Sequence, residues 1–431
     1  MRVLRKLVIA QAIVLAPVIA VAACSSPSPG GSSGGGSTHS GGTMNIGVIY
    51  PFTGANADEG GIGMAGCLAG IAEVNAAGGV LGKTFACKPF DTKGDPADAT
   101  TAADQMMASA SPVMVIGSSD DAVTTSPIVT AGHVVNFATI GDPHFDHQTN
   151  AYFYRLTPSD ALQGIALGYW AISHGYTHAA AVFTSDLGAQ TSVPPLLQEV
   201  AKLGGKLAGS VTLAPGQTSY RTEITKIIAM HPDALVSEMD PQSSTTFLTE
   251  YMQLAGSLPP VLGTQRTSNN DWIQAVLGGI GQADYTKYVK AVVPYVGLSG
   301  PGYDLYKHWL LTLGGTVQDP AQYVGQTYAI SDYDAVNITA LAMAGANSTD
   351  PSVYNGFVTK VTAPGGVIVH GYADGLKALK AGKRIQYVGA SGPLVFDANH
   401  SAEREFSYDT FDAATKSMTP ASIISGSQLA G

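Results

Sequence analysis

The sequence predicts an α/β fold with two doubly wound parallel sheets. Short apolar runs alternate with longer segments of helical periodicity from residue 44 to residue 237, and this alternation is typical of parallel sheets covered on both faces by helices. The strand–helix repeats are too many for one compact sheet, so we predict two sheets. No Ser/Gly/Pro-rich linker interrupts residues 44–431, so we expect the chain to cross between the two units as ordered segments.

The individual elements follow from local patterns. The apolar run 44–50 predicts a buried strand, and a helix is predicted over 63–77 because Leu68 and Ile71 share one face and Gly78 ends it. The further predicted strands are 84–90, 113–116, 134–138, 179–184, 207–213 and 234–237. The further predicted helices are 96–107, 126–131, 164–174, 195–203 and 220–230. In such sheets, ligands bind beyond the carboxyl ends of the strands.

The charge balance argues against nucleic acid as a partner. The chain of 431 residues has 22 Lys and Arg against 32 Asp and Glu, a formal net charge of −10, and no basic run. Phosphate backbones are bound by clustered Lys and Arg. We therefore expect no nucleic-acid binding.

The N-terminus has the pattern of a signal peptide. Three basic residues precede an apolar stretch over 7–23, and Val21-Ala22-Ala23-Cys24 resembles the lipobox of bacterial lipoproteins. The resemblance implies removal of 1–23 and attachment of lipid to Cys24, with Ser/Gly/Pro-rich residues 24–43 as a flexible tether. We therefore expect an extracytoplasmic protein anchored by lipid to the outer face of the cell membrane. The alternative is a short transmembrane anchor.

The other two cysteines are Cys67, on a predicted helix, and Cys87, on the strand that follows it. An even pair in an oxidising compartment favours a disulfide between them. Two buried free thiols are the alternative.

No motif points to catalysis, a cofactor or a metal. The segment 61–66 matches G-x-G-x-x-G, but ten residues separate it from the strand, whereas a dinucleotide fingerprint opens directly after one. We interpret it as a glycine-rich helix start that lets the backbone approach a ligand. The segment His144-Phe145-Asp146-His147 lacks the further spaced ligands that zinc requires. We expect a binding protein rather than an enzyme.

The order of several motifs resembles the periplasmic substrate-binding proteins of the Leu/Ile/Val type. The matching segments are 46–54, with the sequence IGVIYPFTG, the turn 75–82, the helix 328–335 and the segment 387–397. The resemblance implies a type I periplasmic-binding-protein fold with two lobes joined by three hinge crossovers. One lobe is then 44–160 plus 296–385, and the other is 161–295 plus 386–431.

The same resemblance implies a function. Such a protein acts as a monomer, closes on a small-molecule ligand and presents it to the permease subunits of an ABC transporter. A ligand-sensing module of the same fold, without transport, is the alternative.

The residues that correspond to the family's ligand contacts are unusual in their acidity. They are Glu59, Ser119, Asp120, Asp121, Asp142, Glu238, Asp240, Gln265 and Tyr328. Carboxylates at these positions would repel a ligand carboxylate, which argues against a simple amino acid and favours a cationic or polyhydroxylated ligand. The family resemblance and this charge together predict a small polar solute: an amino acid or amino-acid-like solute, an amine, an amide or a polyol. Alternatively, some of these acids cap helices, or Arg266 neutralises one of them.

Overall fold

The computed structural model describes residues 41–54, 56–117, 121–402, 405–424 and 429. In this part of the chain the strands are β1 (Thr43–Tyr50), β2 (Thr84–Asp91), β3 (Met114–Gly117), β4 (Val135–Ala138), β5 (Phe153–Arg155), β6 (Ala180–Thr184), β7 (Gly209–Leu213), β8 (Leu235–Glu238), β9 (Val261–Gly263), β10 (Val289–Pro294), β11 (Val367–Val369), β12 (Ile385–Gly389), β13 (Gly392–Pro393), β14 (Phe406–Asp412) and β15 (Ser417–Ile424).

The helices of the same part are α1 (Ala57–Ala76), α2 (Pro96–Ala110), α3 (Ala122–Ala131), α4 (Asp160–Ser173), α5 (Leu187–Thr191), α6 (Val193–Lys202), α7 (Arg221–Ala229), α8 (Pro241–Ala255), α9 (Asn270–Ile280), α10 (Gln282–Tyr288), α11 (Pro301–Leu311), α12 (Thr327–Ala346), α13 (Pro351–Thr362) and α14 (Tyr372–Lys380). Short 3-10 turns are formed by Pro143–Phe145, Gln265–Ser268 and Pro320–Tyr323.

Two separate sheets are present, as the alternating pattern predicts. The first sheet is parallel throughout, in the order β2-β1-β3-β4-β5. The second has the order β15-β14-β10-β9-β8-β6-β7. Its strands β6 to β10 pair in parallel, whereas β14 and β15 extend it as an antiparallel edge. A small third sheet joins β11, β12 and β13.

Helices cover both faces of the parallel strands, so successive strand residues enter different cores. In β6, Ala180 and Val182 belong to one hydrophobic cluster, while Ala181 and Phe183 belong to another. Residues that point alternately into two dry interiors must all be apolar. This is why the strand is a continuous apolar run in the sequence.

The glycines of the G-x-G-x-x-G segment lie within α1 and pack it against its neighbours. A Cβ on Gly66 would lie 2.4 Å from the carbonyl oxygen of Ala329 in α12, and one on Gly63 would lie 2.5 Å from the Tyr50 ring. The interpretation of these glycines as a helix start facing a ligand is therefore wrong. They permit close packing of α1, which begins at Ala57 rather than at residue 63.

The predicted disulfide between Cys67 and Cys87 is present in the structure, with an S–S distance of 1.99 Å. It ties α1 to the edge strand β2 of the first sheet. A covalent link of this kind stabilises a fold mainly by restricting the unfolded chain.

The last residues of the chain divide between the sheets. Tyr387, Leu394 and Ala402 pack in the core of the first sheet with Ile46, whereas β14 and β15 complete the second sheet. Within the described residues, no helix combines the length and apolarity needed to cross a bilayer. The signal, lipidation and tether predictions for residues 1–40, including Cys24, lie outside the described residues.

Candidate ligand-binding cleft

Loops at the carboxyl ends of both sheets enclose a cavity of about 30 Å³. The first sheet contributes loops after β1, β4 and β5, and the second contributes loops after β6, β8 and β9. The lining residues are Glu59, Ile140, Gly141, Asp160, Gly188, Glu238, Gln265, Arg266, Asn269 and Tyr328. Ligands of parallel α/β sheets bind beyond the carboxyl ends of the strands, so a ligand site is expected at this position.

One side-chain hydrogen bond spans the cavity. Gln265 follows β9 of the second sheet, and its Nε2 donates to the hydroxyl of Tyr328 at 2.8 Å. Burial, with Asp160, Glu59 and Glu238 nearby, raises the pKa of Tyr328 well above its ordinary value. The phenol therefore stays protonated and can both accept and donate a hydrogen bond.

A second bridge is made by Arg266, whose side chain is 9% exposed. Its Nη1 lies 3.4 Å from Glu59 Oε1, and its Nη2 lies 3.6 Å from Asp58 Oδ1. The same Nη2 donates to Asn56 Oδ1 at 2.8 Å. The guanidinium thus joins the loop after β9 to the start of α1.

The nearby acids raise the pKa of Arg266 by more than its burial lowers it. Burial alone would lower the pKa of Arg266, but the carboxylates of Asp58 and Glu59, followed by Glu238 and Asp186, raise it. The guanidinium is consequently held as a buried cation within an acidic surround. The cleft is thus already organised to stabilise positive charge.

Asp160 contributes a further link across the cleft. It begins α4, and its Oδ2 accepts a hydrogen bond of 2.6 Å from the Thr191 hydroxyl of α5. Its backbone amide donates to the carbonyl of Gly141, which lines the same cavity. These two bonds fix the start of α4 at the cavity, which Asp160 also lines.

The structure brings together four of the predicted ligand residues. Glu59, Glu238, Gln265 and Tyr328 all line the cavity. Ser119 and Asp120 lie outside the described residues. The other three, Asp121, Asp142 and Asp240, do not line this cavity.

Two of these three acids cap helical turns. Asp142 accepts the amide of His144 at 2.7 Å, and Asp240 accepts the amide of Ser243 at 2.9 Å. Asp121 lies at the start of α3, where burial raises its pKa and the Thr92 side chain acts in the opposite direction. A direct part for these acids in ligand binding stays a prediction.

Sequence reasoning missed Asp58, Asn56 and Asn269 as residues of this site. Asp58 is the immediate neighbour of Glu59 in the first turn of α1, directly after the loop that follows β1. The rule that loops at carboxyl strand ends carry ligand contacts could have identified it.

The described residues contain no group of three or more His, Cys, Asp or Glu side chains placed to hold a metal ion. In the segment 144–147, both histidines are exposed. Asp146 instead accepts from Arg155 Nη1 at 2.7 Å.

Two α/β units whose facing loops line a polar cavity are typical of a protein that binds a small solute. Comparison with known proteins agrees. Residues 43–408 match the family described as periplasmic binding protein, and the chain belongs to this family. Its resemblance to Leu/Ile/Val-type proteins is confirmed, as is the expectation of a binding protein rather than an enzyme.

Individual relatives are distant. An amino acid binding protein of Pseudomonas aeruginosa is 24% identical over 334 residues, covering 73% of this chain and 82% of that protein. The crystal structure of a leucine-binding protein from Thermotoga maritima has a TM-score of 0.72 at 18% identity, covering 89% of this chain and 99% of that one.

A third relative is an ABC-transporter solute-binding protein of Rhodopseudomonas palustris, solved in complex with p-hydroxybenzoic acid. It has a TM-score of 0.70 at 15% identity, covering 89% of this chain and 97% of that one. These structures share the type I periplasmic-binding-protein fold with this chain.

Proposed function

We propose that this solute-binding protein captures a small polar ligand bearing a positively charged group and delivers it to the permease of an ABC importer. Glu59, Asp160 and Glu238 surround the charged group, and Gln265 and Tyr328 orient the rest of the ligand by hydrogen bonds. Amines and amino acids are the ligand classes that suit this arrangement best.

The main observation that supports this proposal is the charge of the cavity wall. The lining contains three carboxylates and one guanidinium. The guanidinium is already engaged with Asp58 and Glu59. In a site sheltered from water, the remaining negative charge favours a cation and repels an anion.

The small volume of the cavity supports a hinge motion. A cavity of about 30 Å³ is far smaller than the roughly 300–1,000 Å³ of the usual small-ligand pocket. An amino acid is several times larger, so the two facing sets of loops must separate before it enters. The Gln265–Tyr328 and Arg266–Glu59 contacts would then break and re-form around the ligand.

The domain and anchor predictions complete the proposal. Two lobes, 44–160 plus 296–385 and 161–295 plus 386–431, hinge at three crossovers. The packing of residues 387–402 with the first core supports assigning these residues to the first lobe. Lipid on Cys24 holds the protein, as a monomer, at the outer face of the membrane.

A thermal-shift screen of the full-length protein tests the ligand class. The ligands are amino acids, amines, amides, polyols, benzoate and p-hydroxybenzoate. A ligand at 100 times its Kd adds about 2.7 kcal/mol to the free energy of unfolding, which raises the Tm by a few degrees. We expect the largest shifts with cationic or zwitterionic solutes. Shifts with the aromatic carboxylates alone would contradict the proposed ligand class.

A further inference from the structure

A second, larger cavity lies beside the antiparallel edge of the second sheet. Its volume is about 390 Å³, and it is enclosed by the end of β10, the start of α9, the segment 321–327, β14 and the turn into β15. It shares no lining residue with the cleft described above. The space is large enough for a small organic molecule, whose usual pockets begin at roughly 300 Å³.

Much of the wall is apolar. Ile273, Val293, Val296, Val324 and Met418 all contribute to it. Such a surface favours the body of a ligand that carries hydrocarbon or aromatic groups. Polar specificity must therefore come from the few charged or hydrogen-bonding groups in the wall.

The notable polar group is Asp409, which lines the cavity and is 5% exposed. Its Oδ1 has no hydrogen-bond partner in the described part of the chain. A bulge in the pairing of β14 with β15 falls between Tyr408 and Asp409. Bulges of this kind redirect a side chain out of the regular sheet pattern.

Among the described residues, no cation forms an ion pair with Asp409. Burial, opposed by the Ser407 side chain, raises its pKa to about 6, so the carboxylate is ionised at neutral pH. The other charged residue of the lining is Lys416, which is exposed, and no ion pair joins it to Asp409 among the described residues. A buried unpaired carboxylate is costly unless a cation approaches it.

We propose that this cavity is a second binding site for a small organic cation with an apolar body, whose ammonium group pairs with Asp409. The apolar wall takes the hydrocarbon part, and Asp409 selects the positive charge. Because this cavity and the cleft share no lining residue, the proposal of a second site does not depend on the proposed function of the cleft.

Isothermal titration with phenethylamine tests the site, with the uncharged phenethyl alcohol as matched probe. Because the cleft is itself proposed to prefer cations, the titrations use the full-length Glu59→Gln/Glu238→Gln variant, in which that preference is removed. We expect this variant to bind the amine at least tenfold more tightly than the alcohol. When Asp409→Asn is added, this preference disappears.

A cavity-filling variant provides a second measurement that does not rely on Asp409. Gly325 lines the cavity, and a Cβ there would make only an ordinary contact of 3.9 Å with Leu298 among the neighbours of the site. In the same Glu59→Gln/Glu238→Gln background, Gly325→Phe should abolish binding of both probes while changing the Tm by no more than a few degrees. If the background variant fails to bind the amine, or if it binds the amine as tightly after Asp409→Asn and after Gly325→Phe, the second site is refuted.

Discussion

Two clusters of buried carboxylates in this protein differ in how their charges are satisfied. On α12, Asp334 accepts hydrogen bonds from the Tyr387 hydroxyl at 2.7 Å, from the amides of Ala390 and Ser391 at 2.8 Å each, and from the Ser391 hydroxyl. In the cleft, Asp58 and Glu59 face one guanidinium at 3.6 and 3.4 Å. The first cluster is saturated with short bonds, whereas the second is held by longer contacts.

The difference separates a structural carboxylate from a binding one. Asp334 fixes the backbone at residues 390–391, between β12 and β13, and its donors belong to the same packed region. The Arg266 cluster joins loops of two different sheets, so its contacts can break when those loops separate. A site that must exchange partners cannot have every acceptor saturated from within.

Replacing Asp334 with Ala should have the largest effect on stability. The change leaves the Tyr387 hydroxyl and the amides of Ala390 and Ser391 without their acceptor, in a region shielded from water. We expect the free energy of unfolding to fall by about 3–5 kcal/mol. Urea unfolding followed by circular dichroism measures it.

The exposed Asp374 on α14 is the matched control, since Asp374→Ala should cost less than about 0.5 kcal/mol. A loss of less than about 1 kcal/mol in Asp334→Ala would show that the saturated cluster is not a structural anchor.

Arg266→Gln should have an intermediate effect on stability. It leaves Asp58 and Glu59 close together without their cation, and breaking a buried ion pair on one side typically costs several kcal/mol. Because the cleft loops can separate and hydrate the acids, we expect about 2 kcal/mol, smaller than for Asp334→Ala. The same urea titration measures it. A greater loss than for Asp334→Ala would reverse the proposed order of the two clusters.

Glu238→Gln should weaken binding of a cationic ligand about tenfold to hundredfold. This is the loss in affinity expected when one charge-assisted hydrogen bond is removed. Stability should change by less than about 1 kcal/mol. Titration calorimetry gives the Kd values. Asp240→Asn is the control two residues away, because Asn also caps helices and residue 240 does not line the cavity. Equal losses in the two variants would argue against a direct role for Glu238.

Asp121→Asn should have the smallest effect, and it should depend on pH. Because burial raises the pKa of Asp121, the folded protein holds this proton more tightly than the unfolded chain does. Ionisation therefore destabilises the wild type as the pH rises above the usual Asp range.

At neutral pH we therefore expect Asp121→Asn to be more stable than the wild type by up to about 1 kcal/mol. The difference should vanish in strong acid. Thermal unfolding at a series of pH values measures it, and a destabilised variant at pH 7 would contradict the sign.

The sequence alone predicted the sheets because buried parallel strands must be apolar throughout. Thus the predicted strands 113–116 and 134–138 lie close to β3 and β4, in which every residue is buried. The start of α1 was missed because Gly60 and Gly61 are poor helix formers, and packing against Tyr50 and α12 overrides that preference.

The site was harder to predict. Acids at the ends of strands look alike in sequence, whether they cap a turn, as Asp240 does, or line the cavity, as Glu238 does. Only the direction of each side chain separates the two cases. The Arg266 bridge depends on the approach of two sheets that are distant along the chain, and no local pattern encodes that contact.

The most direct test of an acidic, cation-selecting cleft is titration calorimetry with the strongest ligand of the screen and its uncharged or anionic analogues. The measurement compares the wild type with the Glu59→Gln/Glu238→Gln double variant of the full-length protein. We predict that the wild type prefers the cation at least tenfold and that the double variant loses this preference. An undiminished preference in the double variant, or tighter wild-type binding of the anion, would contradict the account.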